Sequence, residues 1–233
     1  IMFIAFLLHS VSFVIYHLYY LNIATFGTRE LALSLSWLIA GIFLLFQLFT
    51  KTRLLGAFIS PIVLALCAVA IFGGSTTATQ FPTVGKLIVL HAIFAIGGEA
   101  LFIVASLAGA VFLLQERLIK NKTKNVFIKL LPPLDDLDKI NKLSILWGFP
   151  LMSAGIIIGL VYASSLWQTR IAIDAKQIWS IFVWATYAFI LHQRSALGWR
   201  GHKIAQLSLV AFLISLVAFF FVINCPASLH RFI

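Results

Sequence analysis

The sequence predicts an all-α integral membrane protein, a bundle of about seven transmembrane helices. Two observations predict this class: 62% of the 233 residues are hydrophobic while only 10% are charged, and the mean hydropathy is +1.06. A soluble globular domain carries roughly 25% charged residues. The apolar runs are long and uninterrupted, which excludes the short alternating strands of a barrel and leaves a helical bundle.

Each predicted helix is an apolar run of about the 20 residues needed to cross the hydrocarbon core. The runs cover residues 1–22, 31–49, 54–73, 84–114, 144–166, 177–193 and 204–224. The first run has no charged leader and no small-residue cleavage site, so we expect a retained helix with a few residues missing before it. We expect one membrane domain over residues 1–233, with an inner polar loop over residues 115–143 and no second soluble domain.

The Lys and Arg residues predict the orientation of the bundle. Twelve of them fall in one alternate set of connections and five in the other. Basic connections stay on the cytoplasmic, matrix or stromal side, so we expect the N-terminus inside and the C-terminus outside. The net charge of +10 follows from this asymmetry. It predicts contact with anionic membrane lipid and no binding of nucleic acid.

The inner polar loop contains paired prolines at residues 132–133, which end any helix before them. Asp135, Asp136 and Asp138 follow. They are interpreted either as a cation site or, in preference, as the acidic start of a solvated helix. We expect an amphipathic stretch here along the inner surface. Cys67 and Cys225 have no metal-binding or redox spacing.

Two histidines and one loop meet at the outer side of the predicted bundle. His91 lies a turn or two inside the fourth helix, His230 lies in the tail after the seventh, and residues 167–176 connect the fifth and sixth. A neutral imidazole is a standard axial ligand of haem iron, and aromatic rings stack on a macrocycle. The alternative for His91 is a hydrogen bond to a neighbouring helix, and for His230 plain exposure to solvent.

Residues 167–180 read WQTRIAIDAKQIWS. This stretch resembles the WGxxWxWDPKExWS signature of the cytochrome c assembly family of haem-handling membrane proteins, the CcsA type, including its HemX-like branch. Four further elements follow in the family's order: WATYA at 184–188, LHQR at 191–194, GWRG at 198–201 and LH at 229–230, the last preceded by Asn224. The resemblance is strongest over residues 84–233. The signature is degenerate, because Ile171 and Ile173 stand where it has tryptophan.

The resemblance implies an external site for non-covalent haem b. His91 and His230 would be the axial ligands of the iron, and the loop bearing Trp167, Asp174 and Trp179 would cradle the porphyrin. His192 matches the family's transmembrane histidine, which implies an inner haem site or delivery path. Its alternative is an interfacial histidine bonded near Arg194.

The leading functional hypothesis is a haem-handling membrane protein of cytochrome c biogenesis, without catalytic activity on its own. It would work in a haem-attachment complex with a partner membrane protein and an apocytochrome c, because its outer connections are too short to form a domain. The alternatives are a HemX-like scaffold or regulator of a tetrapyrrole-synthesis enzyme and a haem-carrying subunit of an electron-transfer complex. The expected location is the bacterial inner (plasma) membrane or an organelle equivalent.

Three other polar residues of the predicted helices are candidates for function. For His9 and His17 of the first helix, ordinary packing is favoured over haem ligation. Glu99 is either a proton-responsive group or a protonated carboxyl group hydrogen-bonded between helices, since a bare charge is costly there. Gly97 and Gly98 beside it would let another helix approach closely.

Overall fold

The computed structural model describes residues 2–20, 28–50, 52, 54–72, 86–122, 131–167 and 175–223. Every regular element in these residues is a helix. The helices are α1 (Met2–Tyr20), α2 (Thr28–Gln47), α3 (Leu55–Phe72), α4 (Lys86–Lys120), α5 (Leu134–Trp167), α6 (Ala175–Ser195) and α7 (His202–Ile223). Each predicted apolar run overlaps one of them over most of its length, so the all-α prediction is confirmed.

Four of the helices, α2 to α5, are long and apolar enough to cross a membrane. Shorter apolar stretches lie in α1 (Met2–Tyr16) and α7 (His202–Val217). Large apolar side chains such as Leu8, Leu64 and Val217 are about two-thirds exposed or more. This exposure suits helices whose outer surface meets lipid instead of water. The chain is therefore an integral membrane protein.

The helices on either side of the inner polar loop extend into the predicted range 115–143. Helix α4 continues to Lys120, and α5 begins at Leu134 directly after the paired prolines. Asp135 and Asp136 lie in the first turn of α5, where acidic side chains complement the helix dipole. The expected amphipathic surface stretch is thus the start of a continuous 34-residue helix.

Helix α4 is central and packs against α2, α3, α5 and α7. Contacts between α4 and α5 pair His91 with Gly155 and Asn141 with Ala105, so the two helices are antiparallel. We call the end of the bundle where α4 begins and α5 ends the His91 end. The opposite end, where α4 ends and α7 begins, is called the basic end. It carries Arg117, Lys120, Arg194, Arg200 and Lys203.

A seam of glycines brings α4 and α5 together. A Cβ atom on Gly98 would lie 2.9 Å from the backbone nitrogen of Met152, and one on Gly155 would lie 2.9 Å from that of Ala95. Small residues allow such backbone contact, and van der Waals packing is a main attraction between helices in lipid. The expected close approach at Gly98 is confirmed. At Gly97 an added Cβ would meet only Leu151 Cδ1, at 3.7 Å.

Asp138 joins three helices at the basic end. Its Oδ2 atom accepts a hydrogen bond from Arg194 Nη2 at 2.5 Å, and its Oδ1 atom accepts one from the backbone nitrogen of Gly201 at 3.1 Å. The Arg194 side chain is only 7% exposed. Gly201 has φ +58°, a conformation that favours glycine, and leads directly into α7. The carboxylate of α5 therefore fixes the end of α6 and the start of α7.

Asn141, one turn further along α5, extends this contact to α4. Its Nδ2 group donates to the carbonyl oxygen of Ala105 at 2.8 Å and to Ser208 Oγ at 2.9 Å. Its Oδ1 atom accepts from Arg194 Nη1 at 3.3 Å. Ser106 Oγ completes the set by donating to the carbonyl oxygen of Ser208 at 2.9 Å. Because these groups are buried, their mutual hydrogen bonds replace those that water would supply.

The glycine seam generates a matched pair of substitutions. We expect Gly98→Ala to lower the midpoint of thermal unfolding in detergent, because the new methyl group meets backbone atoms that cannot rotate away, at a cost of about 1–3 kcal/mol. Gly97→Ala adds the same methyl group where there is room, and we expect no loss. Equal midpoints for the two variants would contradict the seam.

The contact between Asp138 and Arg194 can be tested with a second pair of substitutions. We expect Asp138→Asn to destabilise the bundle by about 2–3 kcal/mol, because it leaves the buried guanidinium of Arg194 without its counter-charge. The control is Asp135→Asn, which removes an exposed carboxylate from the same helix start and should cost about 0.5 kcal/mol. Thermal unfolding measures both, and a larger loss for Asp135→Asn would contradict the assignment.

Candidate functional site

His91 is held by the backbone of α5. Its Nδ1 atom lies 2.7 Å from the carbonyl oxygen of Gly155. A carbonyl oxygen only accepts hydrogen bonds, so Nδ1 carries the proton. In the neutral ring the lone pair then lies on Nε2, which is the nitrogen left to bind a metal. The hydrogen bond to a neighbouring helix, one of the two interpretations of His91, is present and leaves ligation open.

Gly159 provides the space that the imidazole of His91 occupies. A Cβ atom there would lie 2.6 Å from His91 Nδ1 and 2.7 Å from its Cε1. Gly155 and Gly159 are four residues apart on one face of α5, the small-xxx-small spacing of close membrane helix pairs. The glycine spacing that lets α4 pack closely on α5 therefore also makes room for the imidazole of His91.

A ring stack between α4 and α6 indicates which faces of these helices meet. Phe102 and Tyr187 are parallel within 4°, with ring centroids 3.5 Å apart. His91 precedes Phe102 by eleven residues, about three full turns, and so lies on nearly the same face of α4. Trp179 precedes Tyr187 by eight residues, about 12 Å along α6 toward the His91 end. Both candidate residues thus lie toward the His91 end of their helices.

Two contacts of Trp184 hold helix α6 against α5. Trp184 Nε1 donates to Ser153 Oγ at 2.8 Å, and the Trp184 ring stacks on Phe149 with centroids 5.4 Å apart. Trp179 packs half-buried beside this contact, with its ring 5.4 Å from that of Phe182. Trp184 therefore holds α6 against α5, and Trp179 packs near the start of α6.

Part of the predicted site lies outside the described residues. Asp174 and His230 belong to the stretches 168–174 and 224–233, and of Trp167 only the backbone, at the end of α5, is described. The pairing of His91 with His230 and the cradle formed by the loop therefore remain predictions.

His192 lies far from His91. It is near the end of α6 at the basic end, on an exposed side of the helix. Arg194, two residues later, points the other way into the buried contact with Asp138. His91 on α4 and His192 on α6 thus lie at opposite ends of the bundle.

The structure describes the surroundings of His9 and Glu99, two of the remaining candidates. His9 Nε2 lies 3.0 Å from Ser36 Oγ of α2, and Ser36 in turn donates to the carbonyl oxygen of Leu33, so His9 is the donor. This contact agrees with the packing interpretation. The side chain of His17 lies outside the described residues. Glu99 is half-buried in α4.

Sequence reasoning missed two sets of residues that shape the site. The spacing of Gly155 and Gly159 was a usable signal, because it is the motif of closely packed membrane helices. The partnership of Asp138 with Arg194 had no such signal, because 56 residues separate them and each also fits a commoner role.

The profile of the family described as Cytochrome C assembly protein matches residues 3–230. A cytochrome c biogenesis protein CcsA from Chlamydomonas reinhardtii is 31% identical over 194 residues, which cover 79% of this chain and 54% of that protein. The CcsA of Prochlorococcus marinus strain AS9601 is 38% identical over 98 residues, 42% of this chain and 32% of that protein.

A third relative, the CcsA of Trieres chinensis, is 27% identical over 238 aligned residues, covering 87% of this chain and 75% of that protein. The chain thus spans from about a third to three-quarters of the length of these relatives. No solved structure matches it. The profile match extends over nearly all of the sequence, through all seven helices. The chain therefore belongs to the cytochrome c assembly protein family.

Proposed function

We propose that this chain is a haem-handling membrane protein of cytochrome c biogenesis. It holds non-covalent haem b at the His91 end through His91 and His230. The loop bearing Trp167, Asp174 and Trp179 lies beside the porphyrin. The family membership and the relatives, all cytochrome c biogenesis proteins by name, support this function.

The observation that carries the proposal is the contact between His91 Nδ1 and the carbonyl oxygen of Gly155. A histidine that binds a metal almost always donates its other ring N–H to such an acceptor, which fixes both tautomer and ring orientation. The residue therefore fits an axial ligand. Bound haem would supply an iron that accepts imidazole nitrogens as ligands.

The residues around His91 have defined tasks in this function. The carbonyl of Gly155 holds the ring proton, and the absence of a side chain at Gly159 leaves room for the ring. Trp179 offers an aromatic face at the same end of the bundle, and such faces stack on flat macrocycles. His192, at the basic end, belongs in this proposal to an inner haem site or delivery path.

The orientation of the bundle forms part of the proposal. Basic residues gather at the end opposite to His91, and such residues are retained on the cytoplasmic, matrix or stromal side. The His91 end would then face outward, where a partner membrane protein and an apocytochrome c meet the haem.

The axial-ligand assignment is tested by the absorption spectrum and pyridine-extracted haem of the protein purified in mild detergent. We expect a six-coordinate haem spectrum from the unmodified chain. His91→Ala and His230→Ala should each lower the haem content, because each removes an axial ligand. Trp199→Ala, at the basic end, is the control and should keep its haem. Equal haem content in all three variants would rule out these ligands, and a haem-free unmodified chain would rule out the proposal.

A separate substitution tests the seat of the ligand. In Gly159→Ala the new methyl group overlaps the His91 ring, which must turn away from the carbonyl of Gly155. Loss of such a supporting contact typically weakens metal binding by about 10- to 100-fold, so we expect a comparable loss of haem affinity. Gly97→Ala, with free space at its Cβ position, should bind haem normally. An unchanged haem affinity of Gly159→Ala, measured by titration, would show that these glycine contacts do not hold His91 for haem binding.

A further inference from the structure

A groove of about 640 Å³ lies between α4 and α7 at the basic end, away from the His91 site. Its walls are mainly apolar, and two of its polar lining residues lie near the start of α7. The lining includes Leu113, Trp199, Lys203, Gln206, Leu207 and Val210. The apolar wall continues along α7, where Leu213 and Val217 are exposed.

The mouth of the groove carries an oriented cation. Lys203 Nζ lies over the ring of Trp199, 4.7 Å from its centroid. A cation–π contact of this kind holds the ammonium group at the ring face without neutralising its charge. Trp and Lys are typical of the level where a membrane protein passes from hydrocarbon to headgroups. The groove thus has a charged mouth at headgroup level and an apolar wall below it.

The nearby carboxylate does not neutralise this cation. Glu116 of α4 forms an ion pair with Lys120 at 2.9 Å and a second contact with His202. Its charge is thereby shared between two other basic side chains. Arg200, three residues before Lys203, is exposed and adds positive charge at the same end. The charge that would complement this surface is negative.

We propose that the groove binds one anionic phospholipid. An acyl chain lies along the apolar wall formed by Leu113, Leu207 and Val210, and the headgroup phosphate accepts hydrogen bonds from the ammonium group of Lys203. The membrane setting supplies this amphipathic ligand in excess. A soluble anion would leave the apolar wall without a partner, and a zwitterionic lipid would not match the charge at the mouth.

The test uses the full chain in neutral detergent, exchanged into mixed micelles with equal amounts of dioleoylphosphatidylglycerol and dioleoylphosphatidylcholine. Native mass spectrometry gives the ratio of the two retained lipids. We expect the unmodified chain to prefer phosphatidylglycerol. In Lys203→Gln the preference should fall about five-fold, which corresponds to about 1 kcal/mol at 25 °C for one basic residue near an anionic headgroup.

Two control variants separate this site from general surface charge. Lys139→Gln removes an exposed basic residue of α5 near the same end and should keep the preference. Val210→Trp fills the groove and leaves the charges, so it should lower the retention of both lipids. The proposal is overturned by an unmodified chain that shows no preference, or by equal losses in Lys203→Gln and Lys139→Gln. It is also overturned if glycerol 3-phosphate, which has no acyl chain, raises the thermal midpoint as much as phosphatidylglycerol does.

Discussion

The close approach of α4 and α5 is the contact on which the rest of the bundle depends. In lipid, two helices gain little from hiding apolar surface, so their attraction comes from packing and from polar contacts. Glycines at Gly98, Gly148 and Gly155 bring the backbones close enough for that packing. Helix α4 also contacts α2, α3 and α7. The position of α4 against α5, and with it the position of His91, is therefore set by where the two helices have glycines.

The two ends of the α4–α5 pair are stabilised differently. At the basic end, Asp138 and Asn141 exchange hydrogen bonds with Arg194, Gly201 and groups on α4 and α7. At the other end, the described contact of His91 is a single hydrogen bond to a carbonyl oxygen. A network with several partners resists rearrangement more than one bond does. The described polar contacts between α4, α5 and their neighbours are therefore more numerous at the basic end than around His91, although both ends belong to the same two helices.

Hydropathy predicted the helices because lipid penalises every unpaired backbone group, so a long apolar run has one available structure. It did not predict that α5 begins at Leu134, because polar residues such as Asp138 and Asn141 hide the continuation of the helix. Both side chains bind Arg194, which lies more than 50 residues away, and local sequence carries no information on such pairing. The resemblance to the family indicated His91 but not Gly155 or Gly159. Gly155 contributes a backbone carbonyl oxygen, and Gly159 leaves room for the ring because it has no side chain.

The choice of a backbone carbonyl to hold His91 follows from the membrane. A carboxylate would orient the ring equally well, but an ionised carboxylate is costly within a bilayer. The carbonyl of Gly155 has two lone pairs, so it can serve both its helix and the imidazole at no added charge. The contact places a ring proton on Nδ1 and leaves Nε2 for another partner. Gly155 and Gly159 thus fix the orientation of the proposed haem ligand without any polar side chain.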